Sequence, residues 1–205
     1  VIGVEFLPNP GGFNDIIDLG DGSGAQTLLS QVPHDLILDR CYIHGDPTTG
    51  QKRGVGLNSS ATTITNCYIS GIRTQGADSQ AIGGWNTPGG LTITNNYLEA
   101  ASENLLIGGS DPAIAGLVPD GIVIRGNYCF KPLGWIGGGW VAKNLLELKS
   151  ARNVTIENNV LENSWVDGQI GHAIVLTVRN QDGNAPQSII ENVTVQYNII
   201  KNAAG

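Results

Sequence analysis

Basic residues are scarce in this sequence. Its 205 residues carry 18 acidic against 11 basic side chains, a formal net charge of −7. Phosphate backbones are held by a basic face, so no nucleic acid partner is expected. The same balance gives no attraction to an anionic membrane surface. Long apolar runs are missing too: nothing approaches the ~18 consecutive apolar residues of a bilayer-spanning helix. Three cysteines, Cys41, Cys67 and Cys129, are too few and too irregular for a disulfide scaffold. No Cys-x-x-Cys pair or Cys/His cluster occurs, which argues against a structural zinc site. Methionine is absent, and the good helix formers are thin. What remains in quantity is Gly (29 residues), Asn, Thr and Ile, the balance of many short strands joined by tight turns.

Those residues repeat. Leu36-Ile-Leu-Asp-Arg-Cys41-Tyr-Ile aligns with Thr62-Thr-Ile-Thr-Asn-Cys67-Tyr-Ile, Leu91-Thr-Ile-Thr-Asn-Asn96-Tyr-Leu and Ile122-Val-Ile-Arg-Gly-Asn127-Tyr-Cys. Val154-Thr-Ile-Glu-Asn-Asn159-Val-Leu and Val193-Thr-Val-Gln-Tyr-Asn198-Ile-Ile complete the set. The anchors Cys41, Cys67, Asn96, Asn127, Asn159 and Asn198 stand 26, 29, 31, 32 and 39 residues apart. Such periods belong to solenoids, propellers or arrays. Before each anchor, Ile, Val or Leu alternates with polar residues, a strand with one buried face. A short apolar pair follows the anchor, and a third run closes the coil at Gly54–Leu57, Gln80–Ile82, Leu105–Ile107, Leu145–Leu148 and Ala173–Leu176. Three short strands per turn describe an all-β fold, a right-handed parallel β-helix of about six to seven coils with three parallel sheets.

The anchor has a physical task. At a tight bend its amide can bond the backbone of its own turn. Coils stack about 4.8 Å apart, so successive amides can also form a ladder. Cys41 and Cys67 occupy the same inward slot and read as small buried thiols. Neither end of the sequence reads as a cap, so the single 1–205 domain is expected to be a segment of a longer solenoid, with neighbouring coils of that parent as partners.

Asp78-Ser-Gln-Ala-Ile-Gly-Gly-Trp-Asn86, the strand from Leu91 to Leu98 and Leu105-Leu-Ile-Gly-Gly109 together resemble the pectate-lyase-like superfamily. The resemblance covers nearly the whole chain. It implies a secreted or cell-surface protein of bacterial type that acts on or binds an acidic polysaccharide, by lyase-type β-elimination. The groove it implies is formed by the third strands and the loops that precede them. Asp78 matches the family's first strand aspartate. The second is replaced by Ala81 or Ile82, and the family's Arg-x-Pro-x-x-Arg run is absent, its slot filled by Val141–Lys149.

Elimination needs a base for the C5 proton and positive charge against the uronate carboxylate. Lys143, Glu147, Arg179 and His172 are the catalytic candidates. A hydrolase would instead use paired carboxylates, such as Glu103 with Glu147. Trp85, Trp135, Trp140 and Trp165 fall in or beside loops, where flat rings can stack on a sugar. Asp78, Glu103, Asn104 and His44 complete the substrate-binding candidates, and Asp78 with Asp46 could hold a calcium ion. Plainer roles compete: His44 as a turn cap, Asp78 as a loop brace, Lys143 and Glu147 as a surface ion pair. The same tryptophans and polar loops also suit a non-catalytic glycan-binding or structural solenoid.

Overall fold

In the computed structural model, which describes residues 1–205, the chain winds as a right-handed parallel β-helix. Sheet A holds the strands that precede the anchors: Ile37–Asp39, Thr63–Thr65, Gly89–Thr94, Asp120–Arg125, Ala151–Glu157 and Ile190–Gln196. Sheet B holds those that follow: Glu5–Phe6, Tyr42–His44, Tyr68–Ile72, Tyr97–Ala100, Tyr128–Phe130, Val160–Glu162 and Ile199–Lys201. Sheet C closes each coil with Asp15–Leu19, Arg53–Leu57, Gln80–Gly84, Glu103–Ile107, Leu146–Leu148 and Ile174–Leu176. All pairings within the three sheets are parallel, in the register the repeat implies: Ile64 faces Ile93 and Ile122 faces Val154. The strand Asp15–Leu19 lies outside the six aligned segments and extends sheet C by one coil.

The bend before sheet B explains the Asn doublets. The residue before each anchor is left-handed in all six coils, with φ of 54° at Arg40, 55° at Asn66, 56° at Asn95, 67° at Gly126, 57° at Asn158 and 56° at Tyr197. Gly and Asn tolerate that region best, so the first residue of a doublet serves the dihedral. The second serves the ladder. Asn127 Oδ1 accepts from the Asn96 backbone N–H at 3.0 Å and from Asn96 Nδ2 at 2.9 Å. Asn127 Nδ2 donates to Ile93 O at 2.8 Å and to Asn159 Oδ1 at 3.1 Å. Cys67 enters the same column, its backbone N–H donating to Asn96 Oδ1. All three cysteines are buried and reduced.

Inside the coil, Ile43, Ile64, Ile69, Ile93, Leu98 and Ile124 are fully buried, in one continuous core along the axis. Each such side chain contributes about 1.5–3 kcal/mol of transfer free energy. Sheet C departs from simple alternation, and that departure builds the site described next. In and beside the middle strands successive rather than alternate residues are buried, among them Gly54 with Val55, Ala81 with Ile82, Asn104 with Leu105 and Leu145 with Leu146. At the fourth coil the N–H groups of Asn104 and Leu105 both donate to Leu145 O, a bulge. Residues three apart, such as Glu103 and Leu106, thereby reach one outer face and line one cleft.

Candidate functional site

The outer face of sheet C carries a polar chain along the solenoid. Arg53 donates to Asp15 at 2.8 Å and to Gln80 Oε1 at 3.0 Å. Gln80 Nε2 donates to Glu103 Oε2 at 2.8 Å. Glu103 Oε1 lies 3.9 Å from Lys143 Nζ, which also pairs with Asp78. One coil on, Lys149 pairs with Glu147. Asp78, Glu103, Lys143, Glu147, Lys149 and Arg179 therefore line a single cleft of about 310 Å³.

Depth sorts the charges. The Glu103 and Glu147 side chains are 3% and 1% exposed, beneath Lys143 and Lys149 at 16% and 14%. Asp78, at 47%, is the most open of the ion-paired groups in the cleft. Burial pushes the Glu103 carboxyl well above its ordinary range. The Gln80 hydrogen bond and Lys143 oppose that rise, and Asp78 and Glu147 add to it. The mouth of the cleft is accordingly richer in positive charge than its floor. Arg179 reaches it on a polar loop clasped by Asp111, whose carboxylate accepts from the N–H groups of Gln181, Asp182 and Asn184 at 2.6, 3.0 and 2.9 Å.

Other candidates lie elsewhere. His172 is not in the cleft lining; its backbone N–H donates to Asn144 Oδ1 at 2.9 Å. Asn104 is fully buried and spends its amide on Leu98 O, Phe130 O and Lys131. His44 stacks on Tyr42 at 4.4 Å on the outside of sheet B, with Nε2 3.3 Å from Glu5. Asp46 accepts from the N–H groups of Thr48 and Thr49 at 2.7 and 2.8 Å, and so holds its own turn. Asp46 and Asp78 form no shared oxygen cage, and no three His, Cys, Asp or Glu side chains are grouped for a metal. The cleft carboxylates already face lysines, a donor set that does not fit a hard cation such as calcium.

No tryptophan lines the cleft. Arg53 lies 5.0 Å from the Trp85 ring, and Arg73 lies 5.0 and 4.5 Å from those of Trp135 and Trp140. Trp135 is folded down, at 8% exposed, and Trp165 is half-buried. One residue near the site escaped the sequence reading altogether. Lys131 is fully buried, and its Nζ donates to Ala100 O, Ser102 O and Asn104 Oδ1 at 2.9, 2.7 and 3.0 Å. Burial pushes its pKa down, with nearby Glu103 opposing. Three acceptors matched to three N–H bonds suit the ammonium form. It pins the corner that leads into the Glu103 strand.

No protein-family model matches this chain, nor does any curated protein or solved structure.

Proposed function

We propose that the sheet C cleft binds an acidic polysaccharide and cleaves it by β-elimination, as the pectate-lyase-like resemblance implies. One observation carries the reading: Lys143, Lys149 and Arg179 converge over buried carboxylates, with Asp78 open beside them. The cleft also lies where that family places its groove, on the third-strand sheet beside the preceding loops. A uronate carboxylate set against the three cations makes its C5 proton more acidic. Asp78 takes that proton, and the C5 electron pair becomes the C4=C5 double bond. The C4–O4 bond breaks, and O4 leaves with a proton from Lys143. The proton on Asp78 then returns to Lys143 through the contact that joins them, which restores both groups. Such a polymer is met outside the cell, consistent with a secreted or surface protein.

A second reading has its own observation. Glu103, whose carboxyl burial pushes upward, lines the same cleft as Asp78, and a glycoside hydrolase uses such an acid with a carboxylate. Incubation with a set of uronate polymers separates the two. Elimination yields unsaturated ends that absorb in the ultraviolet, and Lys143→Ala loses them by at least a hundredfold. New reducing ends without that absorbance would assign hydrolysis. No new ends from any acidic polymer would refute both.

A further inference from the structure

We propose a second carbohydrate site, for a neutral saccharide unit, in the cleft between Phe13 and Trp140. This cleft, about 320 Å³, shares no lining residue with the charged one. Its walls are the two aromatic rings, Thr48, Thr49, Thr74, Gln75 and the backbone of Gly11 and Gly12. No ionisable side chain lines it. That composition, rings flanked by a few neutral hydrogen-bonding groups, is how small-molecule sites are built. It matches a pyranose, which offers an apolar C–H face and a rim of hydroxyls. An acidic sugar would find no cation among the lining residues to offset the loss of its hydration.

The local structure holds the rings in place. The turn Pro10–Gly12 projects Phe13, and Gly12 sits at φ 71° with no room for a side chain. A Cβ there would meet Gly50 O of the next coil at 2.8 Å. Phe13 is 70% exposed, and neither a second ring nor a guanidinium packs on it. On the other wall, Arg73 lies over the Trp140 ring at 4.5 Å and braces it, and the ring lines the cleft. Gln75 Nε2 reaches Gly138 O at 3.4 Å, tying the Gly-rich insertion to the cleft wall.

Binding here does not depend on cleavage in the sheet C cleft, so it can be read independently. The probe is an array of neutral oligosaccharides with acidic ones beside them, presented to the full chain and to Phe13→Ala, Trp140→Ala and Lys143→Ala. Phe13 is exposed, so Phe13→Ala is expected to melt as the parent does. At least one neutral oligosaccharide should be retained by the parent and by Lys143→Ala, and at least tenfold less by Phe13→Ala and Trp140→Ala. Phe13→Tyr, which keeps the ring, should restore retention. The proposal falls if no neutral oligosaccharide is retained, or if Phe13→Ala retains it fully. It falls equally if Phe13→Ala alters only self-association, which would make the patch a protein contact.

Discussion

Asn95 and Asn96 are neighbours of one residue type with separate tasks, and the two positions should therefore differ in tolerance. Its strongest test is Asn127, 1% exposed and at the centre of the ladder. Asn127→Ala removes the acceptor for the Asn96 backbone N–H and for one Asn96 Nδ2 hydrogen. It also removes the donor to Ile93 O. Two buried donors are left without partners, each costing roughly 1–3 kcal/mol. With the space left by the amide, the expected loss is about 4 kcal/mol, a large share of the ~5–15 kcal/mol typical of a domain. Asn127→Cys is milder, because a thiol already works in this column: Cys67 Sγ accepts from the Cys41 N–H at 3.4 Å. It should lose about half as much. Asn95→Gly should change stability by less than about 0.5 kcal/mol, because φ of 56° suits glycine and the side chain is exposed. Urea denaturation followed by far-UV circular dichroism measures all three. A loss below about 1 kcal/mol for Asn127→Ala, or a cysteine variant no better than alanine, would refute the ladder's energetic role.

Three further outcomes follow from packing, charge and loop geometry. Gly84→Ala places a Cβ 1.8 Å from Leu57 O and should cost upward of about 3 kcal/mol, whereas Gly24→Ala meets nothing within 4 Å and should be silent in the same denaturation assay. Glu103 has a folded pKa raised from 4.5 to about 7, so its contribution to stability is fully present below 4.5 and lost as pH rises to about 7. Glu103→Gln should therefore gain on the parent across that window and run parallel outside it, and a constant offset would contradict the argument. Asp111→Ala leaves three backbone donors of the Arg179 loop free, so amide exchange at Gln181, Asp182 and Asn184 should quicken. Added formate, a carboxylate of fitting size, should slow it again. Exchange indifferent to formate would show that the carboxylate is not the clasp.

The fold is legible because its physics is periodic. Each coil must turn the same corner, so a left-handed residue, Asn or Gly in four of the six coils, recurs before Asn or Cys at the ladder position, whatever the loops between them do. The candidate site is less legible because it depends on where that periodicity fails. Alternation alone would send Glu103 to the face of Leu105, inside the core. The paired inward residues of sheet C turn it outward instead, onto Gln80 and Lys143. Asp78 and Lys143 meet across 65 residues, and the insertion carrying Trp135 and Trp140 hides the register that joins them. The tryptophans were legible as loop residues, but not the arginines that cover them, since Arg73 and Trp140 belong to different coils. Lys131 gave no signal at all, because a lone lysine after a strand reads as a solvated end. Its burial follows only once the Ala100–Asn104 corner of the neighbouring coil presents three acceptors to one ammonium. In a solenoid, then, repeats report the corners that every coil shares. Chemistry has to be sought where neighbouring coils differ, and only stacked register reveals which of those differences touch.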